Sequence, residues 1–231
     1  MEIHGLNKLT LVDFDRKTAC TVFTGRCNMR CPFCHNSTLV LDPASQPMIS
    51  TEEIFAYLAK RKGLLDGVCI TGGEPTLQPD IAEFMQEIKN RGFLVKLDTN
   101  GSNYDTLKKL IDNKLVDYVA MDIKNSPEAY PRTVGIKNFD LSGVKKSVEL
   151  LKEGRVDYEF RTTVVKQLHT AENMSAIADW IKGTKRYFLQ KFVDSGSTIA
   201  QGLEACSDEE MKEFQALLIE RSIPTHLRGV F

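Results

Sequence analysis

The sequence has no run approaching eighteen consecutive apolar residues, so it offers no helix able to span a bilayer. Its opening, MEIHGLNKLTLVDFDRK, lacks the basic stretch followed by an apolar run that marks a secretory signal. An excess of charge of one sign is missing too: thirty Lys and Arg face thirty-one Asp and Glu. That balance excludes a broad basic footprint for nucleic acid or for an anionic membrane, so any partner must be recognised locally. A cytoplasmic protein is the expectation. Linkers, repeats and low-complexity segments are also absent, and 231 residues with 42% hydrophobic content suit one sizeable core, hence a single domain over residues 1–231.

Short runs rich in β-branched and aromatic residues fall at 19–24, 68–71, 94–98, 118–122, 158–164 and 187–192. Amphipathic stretches of helical period lie between and after them, near 50–62, 79–91, 104–113, 141–152, 171–182 and 207–221. Ser50 or Thr51 with Glu53 reads as a capping box, Pro79 as an early helical position, and Gly63, Gly92 and Gly154 as helix stops. Six successive βα units demand parallel strands with right-handed crossovers, in an open partial barrel or a doubly wound sheet.

The position of the unusual residues favours an α/β fold of the partial (β/α)6 barrel type, with segment 1–18 packed on the barrel. Cysteines follow the first strand, Gly72 to Pro75 the second, and Asp98 to Gly101 end the third. Asp122 and Lys124 follow the fourth, Arg161 ends the fifth, and Gln190 and Lys191 end the sixth. A site built from the carboxyl ends of many strands is characteristic of (β/α) barrels.

Six cysteines do not make a disulfide framework here, because Cys27, Cys31 and Cys34 crowd into eight positions while Cys20, Cys69 and Cys206 are scattered. Three thiolates on one loop point to zinc or an iron–sulfur cluster rather than a hard cation. Three ligands to a four-iron cube leave one iron open, whereas a closed zinc site would need His35, whose adjacency to Cys34 strains tetrahedral chelation. Cys20 and Cys69, inside apolar strands, read as buried small hydrophobes. Cys206 receives no role.

The run Cys-x3-Cys-x-Phe-Cys resembles the signature of the radical S-adenosylmethionine (radical SAM) superfamily, and the later motifs fall in that family's order. The resemblance implies that Cys27, Cys31 and Cys34 ligate a [4Fe–4S] cluster, that Phe33 lies near the adenine and that His35 touches the nucleoside. It implies that Gly72, Gly73 and Glu74 receive the methionine amino group of S-adenosylmethionine. Asp98, Thr99 and Asp122 would hold a monovalent cation beside the cofactor carboxylate, Lys124 would meet the nucleoside, and Arg161 would support the cofactor. The residues alone also allow Asp98 and Asp122 to cap helices and Arg161 to pair a barrel carboxylate. His169, Gln190 and Lys191 are rim candidates.

Leu97 to Gly101 and Met121 to Lys124 are similar to strand ends of glycyl-radical-enzyme activases. The opening Gly5-Leu6-Asn7-Lys8-Leu9-Thr10-Leu11-Val12-Asp13 resembles activating proteins of anaerobic ribonucleoside-triphosphate reductase. Those continue with Tyr-Pro-Gly, where this chain has Phe14-Asp15-Arg16. The resemblance implies reductive cleavage of S-adenosylmethionine to a 5′-deoxyadenosyl radical, with no catalytic side chain beyond cluster and cofactor. The radical would take a Cα hydrogen from a glycine of the partner enzyme, with flavodoxin or ferredoxin as electron donor. The thirty-seven residues between Cys34 and Gly72 contain only one further cysteine, Cys69, so no ferredoxin-like insert is expected. A small-molecule substrate and a metal-binding scaffold without cleavage chemistry are the alternative readings.

Overall fold

In the computed structural model, which describes residues 1–230, eight strands make one sheet whose spatial order follows the chain. They are β1 (Ile3–Thr10), β2 (Ala19–Thr24), β3 (Gly67–Gly72), β4 (Leu94–Thr99), β5 (Tyr118–Asp122), β6 (Asp157–Val164), β7 (Tyr187–Lys191) and β8 (Thr225–Arg228). Only β1 runs antiparallel to its neighbour, and β2 through β8 are parallel. A doubly wound sheet would reverse its strand order at a switch point. Here the order never reverses and β1 does not pair with β8, so the sheet winds as an open partial barrel.

The helices are α1 (Ser37–Leu41), α2 (Thr51–Ala59), α3 (Ile81–Asn90), α4 (Tyr104–Asp112), α5 (Tyr130–Thr133), α6 (Ser142–Lys152), α7 (Ala171–Trp180) and α8 (Asp208–Glu220). Setting aside the short α1 and α5, the six expected βα units are present, and two strands flank them. Both flanking strands escaped the periodicity reading for physical reasons. Along β1 much of the chain is only partly buried, which blurs the alternation. With four residues, β8 is too short to show one.

Local signals set the helix ends. Ser50 and Glu53 close the capping box of α2, and Ser207 with Glu210 and Thr170 with Asn173 do the same for α8 and α7. Gly92 and Gly154 follow the last residues of α3 and α6 at positive φ, as a left-handed stop requires. Pro79 lies just outside its helix rather than in its first turn, because Asp80 occupies the N-cap of α3.

Apolar faces of the helices meet the outward faces of the strands. In α3, Phe84, Met85 and Ile88 are buried, and in α4 Leu107 and Leu110 are fully buried. Each such side chain contributes about 1.5–3 kcal/mol of burial. Strand β4 shows how this layer organises the interior: Val95 and Leu97 enter the core, while the alternate residues Lys96 and Asp98 face a cavity inside the barrel. No helix among the described residues is long and apolar enough to cross a membrane.

The loop after β1 packs against the amino ends of the parallel strands. Phe14 is buried there against Ala19, Tyr118 and Leu94, with its ring 6.1 Å from that of Tyr118, and Arg186 reaches Asp15 at 3.8 Å. The Phe14-Asp15-Arg16 departure thus forms a plug at one end of the barrel. Phe14→Ala is expected to lower stability by about 3 kcal/mol, read as a shift of the urea midpoint without a change in slope.

Candidate active site

The cysteine loop leaves β2 through Arg26, a non-glycine residue at φ 65° that turns the chain sharply. Its shape is held by backbone groups: the Cys34 amide donates to the Cys31 carbonyl at 3.0 Å and the Arg30 amide to the Val134 carbonyl at 2.8 Å. The Arg30 guanidinium donates to the Cys27 and Met29 carbonyls at 2.7 and 2.8 Å. A segment after β7 lies across the same loop, with the Ala200 amide on the Pro32 carbonyl at 2.8 Å and His35 Nε2 on the Val193 carbonyl at 2.7 Å. His35 also stacks on Phe192 at 5.5 Å.

Two adjacent glycines, Gly72 ending β3 and Gly73 following it, let a second loop press against this one. The Gly73 amide donates to Thr24 at 2.8 Å and the Glu74 amide to Arg26 at 2.7 Å. A Cβ on Gly73 would collide with the Arg26 carbonyl, and Gly72 sits at φ 115° against the backbone of Thr24. Their missing side chains therefore serve the contact of two backbones.

Glu74 is buried and ties this loop to the end of β4. It accepts from the Thr76 hydroxyl at 2.5 Å, the Thr99 hydroxyl at 2.7 Å and the Asn100 amide at 2.7 Å. Burial pushes its carboxyl up, although the Asn100 amide and the threonine hydroxyls oppose the shift. Asn100 extends the tie: its side-chain amide donates to Asn28 at 3.0 Å and points at Cys27 Sγ at 3.8 Å.

Below the loops, five side chains alternate in charge. Lys96 Nζ lies 2.5 Å from Asp98 Oδ1, and Arg161 Nη1 lies 3.0 Å from Asp98 Oδ2. Arg161 Nε reaches Asp122 Oδ1 at 2.5 Å, and Lys124 Nζ reaches Asp122 Oδ2 at 2.8 Å. Burial works to raise the pKa of both aspartates. Arg161 outweighs it, with Lys124 for Asp122 and Lys96 for Asp98, so both carboxyls stay below the usual carboxylate range. Burial likewise disfavours the charged lysines, but Asp98 holds Lys96 and Asp122 holds Lys124 above the usual ammonium range. The Lys124 ammonium ends the chain 5.9 Å from the centre of the Phe33 ring.

All thirteen expected site residues line one cavity of about 570 Å³: Cys27, Cys31, Phe33, Cys34, His35, Gly72, Gly73, Glu74, Asp98, Thr99, Asp122, Lys124 and Arg161. The rim candidates divide. Gln190 and Lys191 border the cavity, whereas His169 is buried, its Nδ1 accepting from the Val165 amide at 3.1 Å and its Nε2 facing the Lys124 carbonyl at 2.9 Å. Burial lowers its pKa, so it serves as a neutral pin beneath the Lys124 loop.

Sequence reasoning missed Lys96, Glu159 and Arg228, which also line the cavity. Arg228 grips Glu159 with two bonds of 2.8 and 2.9 Å and stacks on Phe188 at 3.7 Å. Period-2 alternation would have found the first two, since Lys96 shares a face with Asp98 and Glu159 with Arg161. Arg228 carried no local signal, because its strand is a product of tertiary pairing.

The donor set fits a thiolate-ligated cluster. Three cysteines on one hydrogen-bonded loop face the cavity, and burial pushes the free thiols of Cys27 to about 12 and Cys31 to about 11. They are protonated when metal-free, and a bound metal would displace those protons. Among the described residues no three His, Cys, Asp or Glu side chains are gathered as a cage for a single metal ion.

A sequence family described as the radical SAM superfamily matches residues 21–181. A Methanocaldococcus jannaschii protein named as a glycyl-radical enzyme activating enzyme is 35% identical over 82% of this chain and 79% of its own length. The pyruvate formate-lyase-activating enzyme of Clostridium pasteurianum is 28% identical over 79% of this chain and 77% of its own. A Thermococcus kodakarensis protein named as a GTP 3′,8-cyclase is 29% identical over 82% of this chain, which spans 57% of that protein. Among solved structures, Streptococcus suis SuiB bound to S-adenosylmethionine superposes with a TM-score of 0.69 at 15% identity, over 88% of this chain and 48% of SuiB. At that identity it shares the fold.

Arg161→Met leaves each part-buried aspartate with one cation and should cost about 2 kcal/mol at neutral pH. Both aspartates have folded pKa values below their unfolded value of about 3.9, so this pairing stabilises fully above that pH and is lost as pH falls through the folded values. Urea titrations should therefore show the gap between wild type and variant closing as pH drops below about 4; a gap independent of pH would assign the arginine a packing role only. Gly73→Ala, which must push Arg26 aside, should impair cluster loading after reconstitution, read by iron content per chain.

Proposed function

Because the chain belongs to the radical SAM superfamily, whose members use a [4Fe–4S] cluster and S-adenosylmethionine, we propose that this enzyme activates a glycyl radical enzyme, an anaerobic ribonucleotide reductase, by removing a glycine Cα hydrogen. The observation that carries this reading is the convergence of the cysteine loop, the Gly-Gly-Glu-Pro loop and the charged barrel interior on one cavity in a sheet that does not close. The resemblance to activating enzymes of M. jannaschii and C. pasteurianum supports the substrate class. When bound, cluster and cofactor supply one-electron cleavage of a carbon–sulfur bond and the carbon radical that follows.

In this reading Cys27, Cys31 and Cys34 hold the cluster, with Asn100 aimed at the Cys27 sulfur. Phe33 and Lys124 form an apolar wall and a fixed positive charge for the nucleoside end. Arg161, clamped between two aspartates, keeps Asp122 and hence Lys124 in place. Glu74 ties the amino-group loop to the end of β4 through its carboxylate. The apolar side chain of Val193, 64% exposed, borders the cavity beside the cysteine loop and suits contact with a macromolecular substrate.

A small-molecule substrate is the second reading, favoured by the likeness to a GTP 3′,8-cyclase. Anaerobic reconstitution, reduction and addition of S-adenosylmethionine should yield 5′-deoxyadenosine and methionine. With the reductase present, a glycyl radical doublet should appear in the electron paramagnetic resonance spectrum. Deoxyadenosine formation stimulated by nucleotides and never accompanied by a protein radical would establish the small-molecule reading instead. Replacing Cys27, Cys31 or Cys34 by Ala should abolish cleavage; substantial turnover in any one variant would remove that residue from the ligand set.

A further inference from the structure

The monovalent cation implied by the resemblance would be held by Asp98, Thr99 and Asp122, and the residues present do not suit it. Both oxygens of Asp98 face cations already, Lys96 at 2.5 Å and Arg161 at 3.0 Å. Both oxygens of Asp122 do as well, through Arg161 and Lys124. The Thr99 hydroxyl donates to Glu74 and accepts from the Gly101 amide at 3.1 Å. Every oxygen such an ion would need is therefore already engaged by the protein: Lys96, Arg161 and Lys124 hold the aspartate oxygens, and Glu74 and the Gly101 amide hold the Thr99 hydroxyl.

Lys96 is the member of this set that sequence reasoning did not anticipate. It lies two residues before Asp98 on the same strand, so the pleat places both side chains on the cavity face. Only 3% of it is exposed, and its ammonium lies 3.9 Å from Cys69 Sγ as well as against Asp98. The backbone thus delivers a cation that no dissociation can remove. Through Asp98 it also fixes Arg161, which spans both aspartates.

We propose that the Lys96 ammonium is the built-in cation of this site, a positioning residue that holds Asp98 and Arg161 for the cofactor and makes the enzyme independent of monovalent metal ions. The proposal rests on the S-adenosylmethionine-binding reading, but its first test needs neither cluster nor turnover. Thermal melting of the metal-free protein is compared in potassium, sodium, ammonium and tetramethylammonium chlorides at equal ionic strength. Wild type should melt alike in all four. Lys96→Met should be destabilised in tetramethylammonium and recover by roughly 3 °C in potassium or ammonium, which fit where the ammonium was.

The second readout is S-adenosylmethionine binding to the reconstituted, unreduced enzyme. Lys96→Met should bind about tenfold more weakly in tetramethylammonium and regain affinity in potassium or ammonium, while Lys96→Arg should stay close to wild type in every salt. Specific stabilisation of wild type by potassium or sodium, or a requirement for either in its cofactor binding, overturns the proposal. So does a Lys96→Met protein that binds the cofactor normally in tetramethylammonium. If the Met variant fails to fold, the wild-type and Lys96→Arg salt series decide by the same criteria. Failure of radical chemistry with these salt responses intact would count against the proposed function alone.

Discussion

Inside the barrel, Lys96, Asp98, Arg161, Asp122 and Lys124 bind one another in a single chain of alternating charge, and the geometry of the cavity depends on it. Buried charges are tolerated only when paired and hydrogen-bonded. Here each anion lies between two cations, and Arg161 supplies the planar fork that lets one residue serve two carboxylates. The chain draws together β4, β5 and β6, whose outward residues are ordinary apolar core. At its far end it leaves a charged ammonium near Phe33, on the cysteine loop.

The loops above depend on a different constraint, the close approach of backbones. Two glycines, one of them in a conformation that L side chains rarely adopt, allow the turn after β3 to hydrogen-bond directly to the residues that precede Cys27. Glu74 and Asn100 extend that contact to the end of β4. The cysteine loop is therefore braced from the β3 and β4 turns on one side and from the segment carrying Val193 and Ala200 on another. Such bracing holds three thiols of one short loop toward the cavity.

Much of this was legible beforehand. The six inner βα units follow from hydrophobic period and capping residues, and the thirteen cavity residues from the spacing of the cysteines together with the family resemblance that the strand-end motifs carry. The β1 and β8 strands did not, because an edge strand with a partly exposed face and a four-residue strand carry too little alternation. Lys96 and Glu159 were hidden by habit: a charged residue inside a strand reads as solvent-facing, whereas in an open barrel the inward face can be polar.

By itself the sequence determined which residues could be ligands, where the six longer helices would lie, and that parallel strands would bring their carboxyl ends to one side. These are local consequences of spacing, period and capping chemistry. Tertiary structure decided what each polar group touches. The glycines of the β3 turn meet backbone, the Glu74 carboxylate braces a loop, and the aspartates are neutralised by side chains of the protein itself. Pairing of buried charge depends on which strands become neighbours and in what register, and that information resides in the fold as a whole.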